Sequence, residues 1–173
     1  MRVFVSVLIV SLLLAFAGFG AARFIKKVQF ERNVAGHLKR ASDASTIELA
    51  AQELEIAVSF LDAHNLTHGY TSLLYQTPNE DVGFWYDNLS RSLNELKELE
   101  IDLKELDLEK AHLTSSNQLM KLRETLLDDT DKGVEVTAPK GISIYPNNWS
   151  FCLWGIISGA PMAIAFVVLW ARA

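Results

Sequence analysis

Three groups of side chains in this sequence are of types able to carry chemistry. His64 and His68 stand four residues apart, a spacing that puts two imidazoles on one helix face as zinc ligands. Asn65 and Gly69 mark a helix end there, however, so no metal site is expected. Asp128, Asp129 and Asp131 ahead of Gly133 look like the start of a calcium loop. The glycine falls two residues after Asp131 and the twelfth-position glutamate is missing, so the spacing fails and the run reads as a solvated helix end. The third group is aromatic: YTSLLYQTPNEDVGFWYDNL, residues 70–89, holds Tyr70, Tyr75, Phe84, Trp85 and Tyr86. Such rings close a core or line a pocket. Tyr70, Thr71, Trp85 and Tyr86 are the candidate contacts for a ligand or partner, because they join apolar faces to polar handles.

Arg32 and His37 have the Arg-x4-His form, which resembles the catalytic motif of the helical HEPN ribonucleases, where such a pair acts on the RNA phosphodiester. The match covers two residues and does not assign the family. There is no phosphate loop, dinucleotide fingerprint, Cys/His zinc spacing or nucleophile elbow. The expectation is a protein that is not an enzyme and takes no cofactor.

Hydropathy explains how these residues are held. Val3–Ala22 and Trp149–Ala171 contain no charge, and each is about the ~20 residues a helix needs to cross a bilayer. Two transmembrane helices are predicted, at 3–22 and 149–171. The first also fits a cleavable secretory signal, but it is longer than the usual ~7–15-residue signal core, and Arg23, Lys26 and Lys27 follow it directly, so retention is expected. Cys152 is the single cysteine and rules out an internal disulfide. Residues 23–40 carry six basic side chains against Glu31, whereas residues 43–135 carry seven basic against twenty acidic ones. A basic collar drawn to anionic lipid headgroups therefore precedes an acidic body, which is unsuited to nucleic acid. The collar also places the central domain on the cytoplasmic side, with an extracytoplasmic domain as the alternative.

Between the membrane segments the pattern is helical. Residues 23–41 lack proline and read as a juxtamembrane helix continuing the first. Ser45-Thr46-Ile47-Glu48 has the form of a capping box, and Ile47, Ala50, Ala51, Leu54, Ala57, Val58 and Leu61 recur at helical spacing, predicting a helix over 46–63. Thr77-Pro78-Asn79-Glu80 reads as the start of a third helix reaching 128. Along it, Val82, Leu89, Leu96 and Leu103 hold one heptad position, and Trp85, Leu99, Leu106, Leu113, Met120 and Leu127 the other; Ser92, Lys110 and Asn117 interrupt. After it, Val134–Thr137 and Ile142–Tyr145 alternate about Pro139-Lys140-Gly141, so the linker 129–148 is expected to form a small β-hairpin. A rod of that length could hardly climb away from the membrane and return within the linker, so it runs back toward the bilayer or folds over near Thr114-Ser115-Ser116-Asn117; the phase that Leu113, Met120 and Leu127 keep favours the first. Residues 45–128 are therefore expected to form an elongated antiparallel helical hairpin or coiled coil, with the aromatic turn closing its distal tip. The predicted fold is an all-α membrane protein.

Gly155, Gly159 and Ala163 form a small-residue ridge on the last helix, and Gly18 with Ala22 a shorter one on the first. These ridges, with the heptad residues Leu96 and Leu103, are the candidate packing surfaces. They predict a non-catalytic scaffold, assembly or accessory subunit, embedded in lipid as a homo-oligomer or as part of a membrane complex. The alternative is a sensory or small-ligand-binding protein using the aromatic tip. Its plan resembles the membrane–helical bundle–membrane input half of bacterial chemoreceptors. Only Arg172 and Ala173 follow the last helix, so a signal would have to pass to a separate protein.

Overall fold

The computed structural model describes residues 2–74, 76–105, 107–131 and 133–170. The expectations placed on Tyr75, Leu106, Lys132 and residues 171–173 lie outside the described residues. The chain divides into two units: Met1–Val28 with Ser143–Ala173, and Gln29–Ile142.

The first unit contains the two apolar helices. α1 spans Arg2–Phe30 and α6 spans Asn148–Trp170, running through Pro161. Among the described residues one helical stretch, near the N-terminus, is long and apolar enough to cross a membrane. The two helices pack antiparallel, and their glycines meet rings across the pair. A Cβ on Gly155 would come within 3.1 Å of the Phe19 ring, one on Gly159 within 3.4 Å of Phe16, and one on Gly18 within 3.4 Å of Trp154. Phe19 and Trp154 meet edge to face at 5.8 Å, and Trp154 Nε1 donates to the Ala15 carbonyl at 3.1 Å. The glycines thus serve as seats for aromatic side chains, which bury more surface than small-on-small contact would.

The second unit is a four-helix arrangement. A single π turn, Glu31–Ala35, joins α1 to α2, Gly36–Ser42. Gly36 N–H closes that turn on the Glu31 carbonyl, and a Cβ there would stand 3.0 Å from the same oxygen, which explains a lone glycine inside an otherwise good helix. α3, Ile47–Ala63, starts one residue later than expected. Thr46, not Ser45, is its cap, and its hydroxyl accepts from Leu49 N at 3.3 Å. It ends in a Schellman motif: Asn65 takes φ 54°, Asn65 N donates to Asp62 O, and Leu66 N donates to Leu61 O. Leu66 and Leu61, the hydrophobic pair of that motif, are both buried.

The expected third helix is corrected. Thr77-Pro78-Asn79-Glu80 forms a 3-10 turn, Pro78–Glu80, and the helix proper is capped by Asp81, whose Oδ1 accepts from Phe84 N at 3.0 Å. The rod then breaks once, giving α4, Val82–Asp102, and α5, Leu108–Leu126. Over 103–105 the amides of Lys104 and Glu105 bond three residues back, which tightens the chain until Asp107 opens α5. α5 turns back to pack on α2 and α3 and meets α4 through Glu95, which receives Lys121 Nζ at 2.7 Å and Gln118 Nε2 at 3.0 Å. The elongated two-arm hairpin is thereby replaced by a bundle in which α2, α3, α4 and α5 alternate in direction. Lys97 on Glu55, at 2.6 Å, ties α4 to α3, and Arg40 on Glu53, at 2.7 Å, ties α2 to α3.

The reversal changes which heptad residues are inside. Val82, Leu89 and Leu96 are buried with Leu38, Leu54 and Leu61 from α2 and α3. Leu103 falls in the reversal and is half-buried. Beyond it the phase is lost: α5 buries Leu122 and Leu126, while Leu113 and Met120 remain 59% and 60% exposed.

The β-hairpin is present but displaced. β1, Leu127–Thr130, pairs with β2, Gly133–Val136, from Leu127 opposite Val136 to Thr130 opposite Gly133. Gly133, at φ 110°, supplies the left-handed position that closing the turn requires. Ile142–Ile144 is a 3-10 turn and not a strand, and Gly141 before it sits at φ 80°.

Candidate functional site

The aromatic turn begins at Thr77, whose hydroxyl donates to Glu80 Oε2 at 2.8 Å. Tyr70 bridges antiparallel to Asp81, Thr71 N donates to Glu80 O, and Val82 N donates to Gly69 O. This short pairing fixes the start of α4 and hence the directions of Phe84, Trp85 and Tyr86, which diverge. Phe84 is 66% exposed. Trp85 is buried, its ring 6.4 Å from that of Phe30, and its Nε1 donates to Thr137 O at 2.7 Å. Tyr86 turns to α3, where its hydroxyl donates to Asp62. That bond to the Asp62 carboxylate raises the phenol above its ordinary value.

The contact with Phe30 corrects the expected location. The aromatic turn lies at the end of the bundle where the chain enters it, not at a distal tip. The segment after β2 comes to the same end, since Thr137 N donates to Leu126 O at 2.8 Å and Thr137 O takes the indole N–H.

Between these segments lies a cavity of about 310 Å3. It is lined by the buried Trp85, Leu89 and Pro139, by the half-buried Asn88, Thr125 and Thr137, and by Asp81, Phe84, Asp128 and Lys140. Of the four predicted contact residues, only Trp85 lines this cavity. Tyr70 lines a smaller hollow of about 230 Å3 with Phe84, Thr71 is buried, and Tyr86 is engaged by Asp62. Asp128 and Lys140 were not predicted. Placing the hairpin one strand too late in the chain hides that residues 125–140 return to α4. The alternation across Leu127–Thr130, with Gly133 as its turn residue, was the available signal.

The other groups weighed from the sequence are dispersed. His64 Nδ1 lies 2.8 Å from Phe60 O and its ring stacks on Phe60 at 3.9 Å, while His68 lies beside the Thr67 hydroxyl at 3.1 Å. Asp128 and Asp129 lie in β1, and among the described residues no three His, Cys, Asp or Glu side chains group as a metal site. His37 Nδ1 lies 2.7 Å from Glu53 and 3.0 Å from Arg40, and among the described residues no hydrogen bond joins it to Arg32. Gly155 and Gly159 seat Phe19 and Phe16 within their own unit, and Ala163 lines an apolar groove beside them. Leu96 is fully buried within the bundle, so an aspartate there would unfold the bundle before it could report on assembly. No protein-family model matches the chain, and neither does a curated protein or a solved structure.

Proposed function

We propose that this chain is a two-pass membrane protein that acts without catalysis, as a scaffold, assembly or accessory subunit, through a helix face of its bundle. α1 and α6 are its two crossings, with the basic collar and the bundle on the cytoplasmic side. The seating of Phe16, Phe19 and Trp154 on glycines supports an anchor formed within one chain. The observation that carries the contact reading is on α5. Leu113 and Met120, one heptad apart, are 59% and 60% exposed, with Asn117 exposed between them. Apolar residues at that spacing form the seam along which one helix meets another. The partner is a second copy or another subunit of a membrane complex.

The test is native mass in mild detergent for the wild type and for Leu113→Asp with Met120→Asp. Both positions face outward, so the bundle stays folded and its helical circular dichroism is retained. A wild type above 19.3 kDa, as multiples of itself or with a fixed foreign subunit, that falls to the monomer in the variant supports the reading. An assembly unchanged by the two aspartates refutes it. A second reading, sensing of a small ligand at the aromatic end, is favoured by the cavity beside Trp85.

A further inference from the structure

The cavity beside Trp85 differs in chemistry from its buried to its exposed lining. Its buried lining is apolar, with Trp85 and Leu89 at 7% and 2% exposure and Pro139 buried. Its half-buried lining offers uncharged hydrogen-bonding groups on Asn88, Thr125 and Thr137. Thr137 Oγ1 is buried and makes no hydrogen bond among the described residues, a deficit that a bound donor would relieve.

Charge at the rim is unequal. Asp81 and Asp128 stand against Lys140, and among the described residues neither Asp128 nor Lys140 has an ion-pair partner within 4.0 Å. Asp81 uses Oδ1 to cap α4, which offsets the positive end of that helix and leaves Oδ2 as an acceptor. Thr125 belongs to the last turn of α5, whose C-terminal end favours a cation. Phe84, 66% exposed, lines the same cavity as these carboxylates. The twenty acidic residues of 43–135, against seven basic ones, add a field that draws small cations.

We propose that this cavity binds a small organic ammonium ion with a compact apolar body. The ammonium lies between Asp81 and Asp128 and against Phe84, and the apolar body rests on Trp85 and Leu89. A single lysine against two carboxylates disfavours an anion, and the apolar buried lining disfavours a polyol. A volume of about 310 Å3 is at the small end of ligand pockets. It admits on the order of ten non-hydrogen atoms at ~30 Å3 each, the share of a water in its liquid. This assignment gives the sensing reading its ligand class and is independent of the α5 contact.

The experiment is calorimetric titration of the full chain in detergent with three probes of one shape: phenethylamine, phenethyl alcohol and hydrocinnamate. Partition into the micelle is common to wild type and variants, so binding is read as their difference. The amine is expected to bind at least tenfold more tightly than either analogue and to weaken as salt is raised. Asp128→Asn and Phe84→Ala, both at exposed positions that keep the fold, should each weaken it fivefold or more. Asp107→Asn, an exposed carboxylate outside the cavity, should leave it unchanged. Equal or tighter binding of the alcohol or carboxylate, amine binding indifferent to Asp128→Asn and Phe84→Ala, or no saturable binding at ten millimolar would overturn the proposal. None of these outcomes depends on whether Leu113 and Met120 make a contact.

Discussion

Replacing Trp85 by phenylalanine tests how the bundle closes around the cavity. The indole is 7% exposed and its N–H is given to Thr137 O at 2.7 Å, so phenylalanine leaves a half-buried carbonyl without its donor. That loss costs about 1–3 kcal/mol. The missing part of the ring leaves a void costing on the order of 1 kcal/mol more. A total of about 3 kcal/mol, at about 2–4 °C per kcal/mol for a chain of this size, lowers Tm by about 6–12 °C. The assay is thermal unfolding of the full chain in detergent, followed by circular dichroism at the helix band. Phe84→Leu is the control: its ring is 66% exposed, and the change should stay within about 0.5 kcal/mol. A Trp85→Phe protein that melts within about 2 °C of the wild type would refute the reasoning, because Thr137 would then not be anchored by the indole.

Two further outcomes follow from local geometry. Gly155→Ala should destabilise the α1–α6 pair by about 1–3 kcal/mol, because its Cβ would lie 3.1 Å from Phe19, whereas Gly159→Ala, at 3.4 Å from Phe16, should be tolerated; disulfide trapping between paired cysteines on α1 and α6 compares them. Glu95 is held below its ordinary 4.5 by hydrogen bonds from Lys121 and then Gln118, so its contribution is present above that value and is lost as pH falls through the lowered one. The stability gap between wild type and Glu95→Gln should therefore close on acidification from pH ~6 to ~3, and it should stay under ~1 kcal/mol because both partners are more than a third exposed. Melting curves across that range check the sign.

Local sequence signals suffice where the interaction itself is local. The spacing of Ile47, Ala50, Leu54, Ala57 and Leu61 identifies α3, and Asn65 marks its end because its left-handed φ completes a motif within six residues of chain. The reversal after α4 is not legible in the same way. Residues 103–107, LKELD, hold neither glycine nor proline, and the heptad runs through them unbroken in sequence. Tertiary packing decides there: Leu122 and Leu126 find the core of α2, α3 and α4, which takes α5 out of phase with Leu113 and Met120. Asp107 before Leu-Glu-Lys was a usable helix-start signal that the strength of the heptad outweighed. The site was half legible for a related reason. Trp85 and its neighbours stand out by composition, while Asp128, Thr137 and Lys140 reach them only through β1–β2 pairing and the Thr137–Leu126 bond, contacts made across the fold.

The exposed α5 stripe exists only if α4 and α5 are separate, antiparallel helices, and the distance between residues 95 and 121 tests that most directly. Spin labels on cysteines at these two positions, with Cys152→Ser, can be measured by pulsed electron resonance in the detergent-solubilised chain. Glu95 and Lys121 meet at 2.7 Å, and helices packed ~8–10 Å apart with a label on each predict a separation of about 20 Å or less. A continuous rod puts the same positions 26 residues apart, about 39 Å at ~1.5 Å per residue. A narrow distribution near 20 Å or below is the predicted result; one centred near 39 Å would contradict the fold and the α5 face with it.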